Sequence, residues 1–193
     1  MLKRLLVVLT MFVAMLATAP VADADPWTRP FYADPYGPAA QVYNADPNNQ
    51  VANALRQVPQ ARWFTPDNPI SNIRSAVNHY VSGATAASRL PVLVTYAIPH
   101  RDCGGFSEGG LQNSTEYRNW IAEFRAGIGA RHAVVIIEPD ALTSADCLST
   151  YNQKVRYAML ANAVTQLSAD LNTMVYLDAG HSRWLTPTQL HAR

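Results

Sequence analysis

Apolar positions along this chain alternate between two rhythms. Short unbroken apolar runs end in turn residues, and between them lie longer segments where apolar side chains return every three or four positions. The first run is Arg62–Phe64. In segment 70–87, Ile73, Val77, Tyr80 and Val81 fall on one side of a helix. The run 91–98, PVLVTYAI, reads as a strand. Segment 114–129 reads as a helix that buries Tyr117, Trp120, Ile121, Phe124 and Ile128, with Ser114 as its cap and Gly129 as its stop. Ala133–Ile137 is again a strand, 150–171 a helix carrying Val155, Met159, Ala163 and Leu167, and Thr173–Leu177 a further strand. From Pro187 a last helix begins. Strands that are apolar on both faces and alternate with amphipathic helices predict an α/β chain with parallel strands covered by helices.

Composition changes this picture mainly at the front of the chain. MLKR, then LLVVLTMFVAMLATA, then Ala22-Asp23-Ala24 give a charged start, an apolar core and a small-residue cleavage site, so residues 1–24 are expected to be a secretory signal. Residues 25–60, rich in Pro, Tyr, Asn and Asp, read as a lead-in with a short helix near 49–57. Residues 61–193 carry the alternation. No later stretch is long and apolar enough to cross a membrane, so none is expected to hold the chain there after signal cleavage. A formal charge of +1 without a basic cluster beyond the signal excludes the electrostatic footprint of a nucleic-acid binder or of a protein that adheres to anionic lipid. Cys103 and Cys147 are the two cysteines. In an exported chain one bridge is the simple reading, and two buried free thiols the alternative. Closing that loop of about 44 residues would stabilise the fold by roughly 4 kcal/mol.

Candidate chemistry gathers where the strands end. In parallel α/β architectures reactive groups sit at the carboxyl ends of the strands. VLVTYAIPHRDCGG delivers Asp102, VVIIEPD delivers Glu138 and Asp140, and MVYLDAGH delivers Asp178. One such acid alone is ordinarily a cap or a loop hydrogen bond; three in register are expected to share one face. Paired carboxylates can divide acid and base work on a glycosidic bond. Glu138, inside the strand ending, is expected to be structural, bonding to backbone or to an arginine such as Arg101. Tyr96, Trp63 and Trp184 crowd the same end, and aromatic faces beside carboxylates suit a saccharide cleft. Trp120 belongs to the core. Gly104, Gly105, Gly109 and Gly110 make the segment after Asp102 a flexible loop. GHSRW lacks the final glycine of a nucleophile elbow, and His79, His100, His132, His181 and His191 show no metal-ligand spacing, so a serine hydrolase and a metal site are not expected.

At these residues the sequence resembles family six of the glycoside hydrolases, the inverting cellobiohydrolases and endo-1,4-β-glucanases. VTYAIPHRDCGG resembles its first signature and VIIEPDAL its second, while RPFYADP, RWF, YRNWIAEF and YLDAGHSRW follow in the family's order. The resemblance implies a distorted β/α barrel, a β-glucan substrate, a secreted enzyme and no metal or organic cofactor. It implies that Asp140 is the general acid, that Asp102 keeps it protonated and helps place a water, and that Tyr96 presses on the sugar ring. Trp63, Asp178, His181 and Trp184 match substrate-binding positions, and Cys103 and Cys147 match a disulfide joining the two catalytic loops. Glu108 stands where the signature has a small residue, so the water relay of the serine there is expected either to shift to Ser107 or to fail. The family's later strands have no counterpart here, so the expectation is an incomplete barrel. That leaves a truncated glucanase, one half of a split enzyme completed by a separate chain, or a non-catalytic saccharide-binding or vestigial module.

Overall fold

The computed structural model describes residues 25–193; the expected signal, 1–24, lies outside the described residues. Four strands, β1 (Arg62–Phe64), β2 (Val92–Thr95), β3 (Ala133–Ile137) and β4 (Thr173–Leu177), form one parallel sheet in the order β1-β2-β3-β4. Helices α1 (Pro38–Ala45) and α2 (Gln50–Leu55) precede it, and α3 (Ile73–Ala86), α4 (Ser114–Ile128) and α5 (Thr150–Leu167) each connect one strand to the next. Helix α6 (Pro187–His191) follows β4. Because strand order equals chain order, every crossover runs the same way, and right-handed crossovers place α3, α4 and α5 on one face. That is the wall of a β/α barrel; a doubly wound sheet would reverse its strand order.

Two rows of side chains alternate across the sheet, as the pleat requires. Leu93, Val135 and Val175 stand in one row, with Thr95 and Ile137 in the next of the same parity. Leu93, Val135 and Ile137 join Ile73, Val77, Trp120, Phe124, Leu160 and Leu167 in the helix-covered core. The opposite parity, Trp63, Val94, Ile136 and Tyr176 in lateral register, faces away from the helices. There Trp63 and Tyr176 are about half exposed. Helices α3 and α4 approach closely at Gly127, where a Cβ would meet the Arg74 carbonyl at 2.7 Å. The lead-in is tied down at its start: the Tyr32 amide donates to the Leu90 carbonyl and the Leu90 amide to that of Pro30, each at 3.0 Å.

Several expected boundaries shift for identifiable reasons. Helix α4 is capped by Asn113, whose side chain accepts from the amides of Thr115 and Glu116, so Ser114 is its first residue and not its cap. Helix α5 stops at Leu167, and residues 168–171 turn toward β4. Strand β2 ends at Thr95, and after one more bond from the Tyr96 amide to the Phe64 carbonyl the Ala97 and Ile98 amides bond elsewhere, as described below. The short helix near 49–57 is α2, with Asn49 as its cap. Helix α1 was not expected; it starts at a proline in the first helical position and buries only Ala40, which leaves almost no periodicity to read.

Candidate functional site

Three strand-end loops build one rim, and unusual backbone shapes it. His100, Asp102, Cys103, Glu138 and Asp140 all adopt positive φ between 45° and 69° without being glycine. Such conformations cost free energy and persist where surrounding contacts fix them.

After β2, the Arg101 guanidinium lies 4.7 Å over the Tyr96 ring and donates to the carbonyls of Tyr96 at 2.6 Å and Ser107 at 2.8 Å. This folds the glycine-rich loop back on itself. Within it the Asp102 carboxylate accepts the Ser107 amide at 2.6 Å. Ser107 therefore meets Asp102 through its backbone. Gly110 closes the loop at φ +103°, where a Cβ would lie 2.0 Å from the Ile98 carbonyl oxygen. Tyr96 in turn packs edge-on against Trp63 of β1, 5.2 Å between centroids.

After β3 the chain splits its two acids. Glu138 is fully buried and accepts the amides of Ala97 and Ile98 at 3.0 Å, while its own amide donates to the Thr95 carbonyl at 3.0 Å. The carboxylate thus takes the two amides that would have continued β2. Burial pushes its pKa up, opposed by those amide bonds. Its expected alternative partner, Arg101, is engaged with Tyr96 and Ser107 instead. The Tyr117 hydroxyl, also buried, faces Glu138, and burial raises it well above the usual phenol range.

Asp140, two residues on, is open to solvent. Its amide donates to Asp178 Oδ1 at 2.9 Å, and the same oxygen accepts the Gly180 amide at 2.9 Å. Its carbonyl accepts the Ser144 amide at 2.8 Å and the Thr143 hydroxyl at 3.0 Å. The Asp140 carboxyl is raised above the ordinary value, first by partial desolvation at the rim, then by the negative charges of Asp178 and Asp102, with His181 opposing. The Asp140–Asp178 bond and the disulfide between the Asp102 and Asp140 loops bring the three strand-end aspartates to one rim. His181 lies beside Trp184, 5.5 Å between ring centroids, next to Asp178.

A disulfide between Cys103 and Cys147, Cα atoms 6.0 Å apart, ties the Asp102 loop to the loop following Asp140. A cavity of about 690 Å³ opens beside the rim under Trp63, lined also by Asp34, Arg62, Thr65, Asp67 and Tyr80. One site-supporting residue escaped the sequence reading: Arg156 of α5, buried against both loops. Its signal was present. Positions 156, 159, 160, 163 and 167 form the buried stripe of α5, and an arginine heads it.

Comparison with known proteins agrees along nearly the whole chain. The family model for glycosyl hydrolases family 6 matches residues 21–192. Endoglucanase A of Thermobispora bispora is 40% identical over 183 residues, covering 92% of this chain and 40% of that protein. Endoglucanase 1 of Streptomyces halstedii is 41% identical over 179 residues, covering 89% and 55%. The solved endoglucanase Cel6 from Mycobacterium tuberculosis, in complex with methyl-cellobiosyl-4-deoxy-4-thio-β-D-cellobioside, superposes with a TM-score of 0.83 at 40% identity over 88% of this chain and 58% of that one. The chain spans about half the length of these relatives. With a matching family model over its length, the chain belongs to family 6 of the glycosyl hydrolases.

Proposed function

We propose that this chain carries the acid-bearing wall of an exported, inverting glycoside hydrolase that cleaves β-1,4-glucosidic bonds. One observation carries the reading: a solvent-open Asp140 on left-handed backbone, with its carboxyl pushed up between Asp102 and Asp178. A carboxyl that keeps its proton beyond the ordinary range can give it to a leaving glycosidic oxygen. In the proposed step Asp140 protonates that oxygen as the bond to the anomeric carbon breaks. A water attacks the opposite face of the ring, losing its proton to solvent or to a carboxylate, and the product is inverted. Asp102 raises Asp140 by its charge and is itself oriented by the Ser107 amide. Tyr96 and Trp63 form an edge-on aromatic wall for the apolar faces of the sugar, with the His181 and Trp184 ring pair following Asp178. The relatives support the substrate class, since two are endoglucanases and the solved one holds a thio-cellooligosaccharide.

The test is reducing-sugar release from carboxymethyl cellulose by the chain and by Asp140→Asn. The expected loss is on the order of 10²- to 10⁴-fold, the usual worth of a general acid. Equal release from both would reject Asp140 as the acid. Binding of cellulose in a gel without release from either protein would favour a saccharide-binding module.

A second reading, completion by a separate chain, is supported by the β4 edge, where Met174, Tyr176 and Leu177 are all exposed. An unpaired apolar edge is a template for another strand. The chain would then be inactive alone and would gain activity when mixed with the carboxyl-terminal part of the Streptomyces halstedii relative.

A further inference from the structure

We infer that Arg156 is a positioning residue, a buried clamp that holds the Asp102 loop and the Asp140 loop in fixed relation independently of the disulfide. Arg156 is 1% exposed and projects from the first turns of α5 beneath the rim. One of its terminal nitrogens, Nη2, donates to the carbonyls of His100 at 2.6 Å and Pro99 at 3.1 Å, just before Asp102. The other, Nη1, reaches the Ala141 carbonyl at 3.4 Å and the Ser144 hydroxyl at 3.5 Å, just after Asp140. The two ends of one planar, rigid fork therefore fall on different loops, each contact within four residues of a rim aspartate. Ser144 relays the hold, because its amide donates to the Asp140 carbonyl.

The chemistry singles out a guanidinium. A buried cation is costly unless it is compensated, and burial pulls Arg156 down while the Glu138 charge pulls it back up. Its Nε, also buried, has no hydrogen-bond partner among the described residues. Stability alone would favour an apolar residue at a position in the α5 core stripe. What an apolar residue cannot do is bond four acceptors on two loops at once. A lysine could reach one loop or the other, since its single nitrogen lacks the fork. The disulfide joins the same loops between Cys103 and Cys147, so a covalent tie stands beside the hydrogen-bonded one.

The inference rests on the glucanase reading only where rates are measured. Amide hydrogen exchange on the full chain, wild type against Arg156→Lys and Arg156→Met, tests it without catalysis. The expected result is exchange about ten-fold faster at residues 100–107 and 140–147 in both variants, with α4 and β3 unchanged, and a larger rise once the disulfide is reduced. Should Arg156→Met fail to fold, Arg156→Lys, which keeps the buried charge, decides alone. A uniform rise over the whole chain, or none in the two loops, would overturn the clamp. On carboxymethyl cellulose, kcat should fall about ten-fold with KM little changed, and Arg156→Lys should recover part of it. Absence of sugar release from wild type, alone and mixed with the completing part, would remove the glucanase reading and leave the exchange result standing.

Discussion

Glu138 and Asp140 stand two residues apart and occupy different media. Glu138 forms part of the floor: no solvent reaches it, two backbone amides grip its carboxylate, and its pKa rises because burial penalises charge. Asp140 forms part of the rim: solvent reaches it, it is anchored through its backbone amide and carbonyl, and neighbouring carboxylates add to the rise. Both sit on left-handed backbone around Pro139, which turns one side chain in and the next out. The difference teaches how a strand end can supply a buried acid and a solvent-facing one in a single Glu-Pro-Asp. The inward acid terminates the neighbouring strand, and the outward acid is left free to exchange protons.

Perturbing the tie at the rim should give the largest effect on stability. Replacing both cysteines, Cys103→Ser with Cys147→Ser, should lower stability by about 4 kcal/mol, the chain-entropy value for a loop of this size, read as a shift in the urea midpoint. Next is the floor. Glu138→Gln keeps the size and can keep Oε2, which accepts both the Ala97 and Ile98 amides, but it sets a buried NH2 donor against the Ala97 amide where Oε1 stood at 3.1 Å, at a cost of about 2 kcal/mol in the same measurement. An unchanged midpoint would erase the distinction between floor and rim.

The smallest effect comes from the rim acid itself. In the folded chain Asp140 is raised, so the fold holds its proton over a pH range where the unfolded chain has released it. That contribution is complete below the ordinary carboxyl pKa and is lost as pH rises through the raised value. Asp140→Asn does not titrate. Its Tm relative to wild type should therefore climb slightly from acid to neutral pH, whereas a Tm that falls at every pH would place Asp140 with the floor.

Much of this architecture is legible in the letters. The apolar runs gave β1, β3 and β4, helix spacing gave α3 and α4, and acid at three successive strand ends foretold that Asp102, Asp140 and Asp178 would meet. What escaped reading depends on contacts between segments far apart in the chain. Strand β2 was read too long because its last amides go to a side chain 40 residues away. Arg101 was offered to Glu138 because both lie at strand ends, yet its own loop supplies nearer carbonyls. Arg156 was passed over because charge in a helix is ordinarily solvated, and only its place at the head of the α5 stripe marks it as inward. Helix α1 buries too little to print a pattern.

Strand order that follows chain order has a kinetic corollary. Each strand pairs with the one made just before it, so a chain emerging amino end first need not hold a sticky strand in reserve for a distant mate. Cys147 emerges before β4, and the crosslink to Cys103 can close as soon as β2, α4 and β3 have assembled. The Asp102 and Asp140 loops are thereby joined while the rest of the wall is still being laid.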